Sequence, residues 1–113
     1  MPKSSKASQE LPDAVRKHLQ QLGSRVRTAR MRRRMPLRQL ADRTGLTVPT
    51  LIRIEGGYPG TGIGAYATVL WILGLADGLT DLAAQEKDTV GLALEAARSP
   101  ARARAGTHLD DDF

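Results

Sequence analysis

The chain has no cysteine, which excludes a disulfide framework and any thiolate-ligated metal. Its two histidines, His18 and His108, stand far apart and read as surface residues rather than ligands. The opening MPKSSKASQE lacks an apolar signal-type core, and no stretch is long enough to cross a bilayer, so no membrane partner is expected. No carboxylate pair, nucleophile with its base, or metal-ligand spacing stands out. Enzymatic activity is therefore not expected, and no catalytic residue, metal or cofactor is assigned. What remains is a soluble, non-secreted binding protein, one domain with tails in 113 residues.

The clearest organisation lies from Met35 to Gly57, MPLRQLADRTGLTVPTLIRIEGG. At helical spacing, Leu37, Leu40 and Ala41 form one apolar stripe and Leu51 and Ile54 a second, with Gly45 and Leu46 between them. Gly45 can take the positive φ that ends a helix, and Thr47 can cap the next one. The pattern predicts two short helices meeting at a tight turn, with Leu46 in the corner. A generic helical hairpin would tolerate almost any polar residues in the gaps.

The run Leu40-Ala41, Gly45-Leu46-Thr47, Leu51, Arg53, Ile54-Glu55 and Gly57 resembles the helix-turn-helix of the Cro/phage-repressor class, the XRE family. The resemblance covers roughly Leu22 to Leu75 and implies an all-α, five-helix DNA-binding domain that works as a homodimer. It places a positioning helix from Pro36 or Leu37 to Thr44, and a recognition helix, which enters the major groove, from Thr47 to Glu55. In that family an arginine late in the first helix pairs with the glutamate ending the recognition helix. Arg30 and Glu55 hold those positions and are expected to form a structural ion pair. The family's usual serine-like cap and following glutamine are replaced by Pro36 and Leu37, so that cap and its phosphate contact are lost. Arg38, or an N-terminal arm with Lys3 and Lys6, can contact phosphate instead.

By the same resemblance, the positions facing base edges hold Val48, Pro49, Thr50 and Arg53. Of these, only Arg53 can make bidentate hydrogen bonds to guanine; Val48 and Pro49 offer apolar contact to thymine methyls, and Thr50 donates, accepts or touches a methyl. With Arg38, Thr47 and Thr61 they make up the expected DNA-contact set. Ile52 must meet the sugar-phosphate backbone or face a neighbouring protein surface.

The net charge of +5 is unevenly spread. Met1 to Arg34 carries ten Lys/Arg against Glu10 and Asp13, or +8; Met35 to Leu79 is balanced; Thr80 to Phe113 has four basic against seven acidic residues, or −3. Six arginines between Arg25 and Arg34 exceed what solubility needs and point to a polyanion. Arg32, Arg33 and Arg34 are candidates for phosphate contact or simple solvation.

Leu11, Val15, Leu19, Leu22, Val26 and Ala29 mark an amphipathic helix, in which Gly23 predicts a kink or a break. The glycine-rich GGYPGTGIGA, Gly56 to Ala65, has neither the Lys-Ser/Thr nor the preceding strand of a nucleotide-binding loop. It is expected to end the recognition helix and to deliver Thr61 as the next cap, with the amides of Gly60, Thr61 and Gly62 available to phosphate. Ile63 to Leu75 is the most apolar helix, with Trp71 expected in the core or at a dimer interface. Leu79 to Ala84 reads as a short fifth helix, and Asp88 to Arg98 as an amphipathic segment capped by Asp88 that needs a partner.

Ser99 to Thr107 has linker composition, and the chain then reads HLDDDF. The apolar fourth helix, the D-x-VGLAL segment, the arginine-bearing linker and the final DDDF resemble HipB-like antitoxins encoded beside HipA-like Ser/Thr kinase toxins. That likeness implies a partner-binding tail of Asp110, Asp111, Asp112 and Phe113, an aromatic anchor for a pocket with basic surroundings. A solubilising acidic tail is the plainer alternative. The expected organisation is a flexible basic arm (1–10), a helix-turn-helix domain (11–85), a short amphipathic segment (86–98) and a flexible tail (99–113). The expected function is a cytoplasmic, nucleoid-associated repressor of bacterial type. It is the antitoxin of a type II toxin-antitoxin pair, a homodimer on a palindromic operator in double-stranded DNA with a HipA-like kinase as partner. A stand-alone XRE regulator and a protein-interaction module without DNA affinity stay open.

Overall fold

The computed structural model describes residues 10–98, and within them every regular element is helical. The order is α1 (Asp13–Arg32), α2 (Leu37–Thr44), α3 (Val48–Glu55), α4 (Ile63–Ile72), 3-10 helices at Ala76–Asp81 and Gln85–Lys87, and α5 (Thr89–Arg98). By its contacts the chain divides between Leu79 and Thr80 into two compact units. The expected N-terminal arm apart from Glu10, the linker and the acidic-aromatic tail lie outside the described residues.

In the first unit, Val26 and Ala29 from α1, Met35, Leu40 from α2, Leu51 and Ile54 from α3, and Tyr66, Val69 and Leu73 around α4 make one buried core. No polar or charged residue is buried with them. The helix pair read from the sequence forms as expected. Gly45 takes φ 76° at the end of α2, and its N–H donates to the Ala41 carbonyl at 2.9 Å. Leu46 packs, half-buried, against the core, and the Thr47 hydroxyl accepts from the Thr50 N–H at 3.3 Å to cap α3. Pro36 precedes α2 without a side-chain cap.

Several expectations are corrected. Gly23 neither kinks nor breaks α1, which runs unbroken for 20 residues. A Cβ built on Gly23 would lie 2.5 Å from the Ile54 carbonyl oxygen and 2.6 Å from that of Glu55, while one on Gly57 would lie 2.6 Å from the Gln20 Cα. The two glycines thus let α1 lie directly on the backbone that ends α3. Thr61 is not the cap of α4; Gly62 holds that position with no side-chain hydrogen bond. The helix ends at Ile72 and is closed by Gly74 at φ 78°, and Trp71 is outside the core, 70% exposed, which leaves the dimer interface as the other of its two expected places. Tyr66 fills the core place instead, its hydroxyl donating to the Tyr58 carbonyl at 2.9 Å. The expected fifth helix at Leu79–Ala84 is replaced by the 3-10 turn at Ala76–Asp81, with Ala83 at φ 57° ending any continuation and Leu82 exposed.

In the second unit, Asp88 caps α5 as expected, its Oδ1 accepting from the Gly91 N–H at 2.9 Å. No residue of α5 is buried, and Val90, Leu92 and Leu94 are all exposed.

Two measurements check this packing. Gly23→Ala, which helix propensity alone would favour by about 1 kcal/mol, is expected to cost about 2 kcal/mol because the methyl must force α1 off α3. The thermal midpoint should fall by roughly 10 °C, and a rise would show the contact to be loose. Burial raises the Tyr66 hydroxyl above its ordinary 10.0. A neutral group with a raised folded-state value contributes full stability below pH 10.0 and loses it as pH climbs through the folded-state value. Tyr66→Phe should therefore cost about 1 kcal/mol at neutral pH and give a shallower alkaline loss in urea titrations above pH 10.0.

Candidate nucleic-acid interface

One side of α3 is committed to the core through Leu51 and Ile54, both with no measurable exposure. The helical repeat then sends Pro49, Ile52 and Arg53 outward together, with Val48 and Thr50 half-buried at the flanks. The Thr47 and Thr50 hydroxyls are 2.9 Å apart at the start of this face. Of the expected base-facing residues, Pro49 and Arg53 thus share the outward surface, and Val48 and Thr50 border it on opposite sides. Ile52, expected to meet the sugar-phosphate backbone or a neighbouring protein surface and not to face base edges, lies on the same outward side. It is 55% exposed, and its three-residue spacing from Pro49 is the signal that places it there. Arg38 is exposed on the first turn of α2, and Thr61 is half-buried in the loop before α4.

The angle of this surface is set from behind. Arg30 Nε donates to Glu55 Oε2 at 2.7 Å and its Nη2 to Oε1 at 3.1 Å, a bidentate contact with the two side chains 12% and 9% exposed. A third donor, Nη1, reaches the Met35 carbonyl at 2.9 Å. One guanidinium therefore ties the end of α1, the turn into α2 and the end of α3. The planar fork of arginine can satisfy all three, which a lysine cannot. Beside this clamp, Arg27, Arg30, Leu37, Ile52, Glu55 and Gly56 line an open groove of about 340 Å³.

The remaining arginines of α1 divide by use. Arg25, Arg27 and Arg32 are exposed along the helix. Arg33 Nη1 donates back to the Ala29 carbonyl at 2.7 Å, where a cation suits the helix C-terminus. Arg34 is exposed and adopts φ 51°. Its N–H bonds the Met31 carbonyl at 2.9 Å and the next N–H, Met35, bonds the Arg30 carbonyl at 3.2 Å, the hydrogen-bond pair of a Schellman ending. The same pair closes α3 at Gly57 and α4 at Gly74, where glycine takes the left-handed backbone. Only α1 has a side chain there, at a cost of about 1 kcal/mol.

Among the described residues no cluster of His, Asp and Glu could hold a metal ion, and no helix is long and apolar enough to cross a membrane. The tail Asp110, Asp111, Asp112 and Phe113 lies outside the described residues. No family model, curated protein or solved structure matches the chain.

Two substitutions probe this arrangement. Arg30→Ala leaves the Glu55 carboxylate nearly buried and unpaired, and should cost about 3 kcal/mol in urea unfolding; the double replacement by methionines should cost less than either single loss. If the two single losses simply added, the pair would not be coupled. Arg34→Gly should raise stability by about 1 kcal/mol by relieving the left-handed backbone, and should weaken binding to any polyanion.

Proposed function

We propose that the chain is a DNA-binding transcriptional repressor of Cro/phage-repressor (XRE) type, acting as a homodimer on a palindromic operator. One observation carries the reading. The α2–turn–α3 pair is clamped through Arg30 and Glu55 so that Pro49, Ile52 and Arg53 face outward together. In this reading α3 lies in the major groove. Arg53 reads guanine through two parallel hydrogen bonds, Val48, Pro49 and Ile52 meet thymine methyls or the sugar edge, and Thr50 adds a polar contact. Arg38, Thr47, Thr61, the amides of Gly60 to Gly62 and the arginines of α1 position the duplex through its phosphates. Half-sites stand about 34 Å apart, as a two-fold protein requires.

The resemblance of the C-terminal part to HipB-like antitoxins extends this proposal to a type II toxin-antitoxin pair. A HipA-like kinase would be held through Asp110 to Phe113, and the whole would work in the cytoplasm at the nucleoid. The exposed apolar residues of α5, Val90, Leu92 and Leu94, favour a protein partner for this part of the chain.

The experiment is binding of the full chain to the DNA upstream of its own gene at two salt concentrations, beside Arg53→Ala and a chain lacking Asp110 to Phe113. Specific binding should fall steeply with salt, and Arg53→Ala should lose about tenfold for the operator and little for random DNA. The tail deletion should keep DNA binding and lose the kinase. No specific binding at low salt would overturn the repressor and leave an interaction module.

A further inference from the structure

We propose that the outer face of α4 is the surface through which the chain meets a second copy of itself. This names the interface of the homodimer in the regulator reading, but it stands on observations that involve no DNA. Ile63, Ala67 and Trp71 recur every fourth residue of α4, on the side turned away from Tyr66 and Val69. Ile63 is 73% and Trp71 70% exposed, the highest values among the described large apolar side chains of the first unit. A helix apolar on every side is normally covered on every side.

Charge decides what covers it. No Asp, Glu, Lys, Arg or His occurs between Glu55 and Asp77, in a chain that is 26% charged and carries +5. Self-association through a face bearing the arginines would set like charge against like charge. The α4 face brings none, and two copies of it match without repulsion. Its relief is also self-complementary. Gly64 and Ala67 leave a shallow surface beside the Trp71 ring, and a Cβ added at Gly64 meets nothing within 4 Å. In a two-fold pair each indole lies over the small residues of the other copy, the four-residue ridges crossing at about −50°.

Trp71 is the only tryptophan, so its emission reports this face directly. Sedimentation equilibrium and fluorescence of the full chain are followed across a dilution series, beside Trp71→Glu and Gly64→Gln. Both substitutions fall on exposed positions, so at monomeric concentrations Trp71→Glu should leave helical content and unfolding midpoint unchanged, and Gly64→Gln, which replaces a helical glycine, should leave them unchanged or raise them. The natural chain should dimerise with emission moving to shorter wavelength as concentration rises. Each substitution should weaken the dimer on the order of 100-fold, the loss expected of a central aromatic contact. Raising salt should leave the dimer intact or tighten it, whereas DNA binding weakens.

A dimer that survives Trp71→Glu would overturn the proposal, as would a monomer with long-wavelength emission throughout. Short-wavelength emission that ignores dilution and is lost in Leu94→Glu would assign the face to the chain's own α5, and would overturn it too. A dimer through α4 without DNA binding would uphold this interface and sink the repressor. Specific DNA binding by a chain that stays monomeric would sink this interface and uphold the DNA-binding reading without its homodimer.

Discussion

The bidentate contact between Arg30 and Glu55 is the constraint on which the first unit depends. Apolar burial holds the helices together but is non-directional, and a small core leaves their rotation loosely set. Three directional hydrogen bonds from one guanidinium, two to Glu55 and one to the Met35 carbonyl, remove that freedom at the joint of three segments. The pair can close because Gly23 and Gly57 allow α1 to rest on the backbone at the end of α3. The outward aim of Pro49, Ile52 and Arg53 is therefore a product of contacts on the opposite side of the helix.

What could be read in advance follows from how local the deciding interactions are. Around Gly45 and Thr47 the turn, the cap and both apolar stripes agree within a few residues, and the two helices form where that agreement puts them. Arg30 and Glu55 were reachable through resemblance alone, being 25 residues apart with no local signal to join them. Gly23 was misread because its cost to a helix is local, whereas the contact that justifies it comes from Ile54 and Glu55. The phase of α4 was illegible for another reason. With apolar residues on every side there is no polar face to orient it, so spacing could not choose between Tyr66 and Trp71 for the core. At Leu79–Ala84 the apolar spacing is helical, yet the backbone of Ala83 turns left-handed and the segment closes as a 3-10 turn before it.

The distribution of charge and of strain point the same way. The basic residues are gathered before Met35, and of the three α-helix endings that share one hydrogen-bond pair, those of α1, α3 and α4, only that of α1 holds a side chain, an arginine, in the left-handed position. Glycine serves the same hydrogen-bond pattern at the ends of α3 and α4, so the fold itself does not ask for arginine at 34. Under the proposed polyanion reading, an arginine kept there at some expense to the backbone would have a use as a phosphate contact.

The hydrogen bond from the Tyr66 hydroxyl to the Tyr58 carbonyl has a consequence for recognition. It anchors the loop after α3, at Tyr58, to a ring sunk in the core. If that loop meets phosphate as proposed, a segment anchored beforehand would lose less conformational freedom on contact, and affinity would rest more on fit than on the entropy of arrangement.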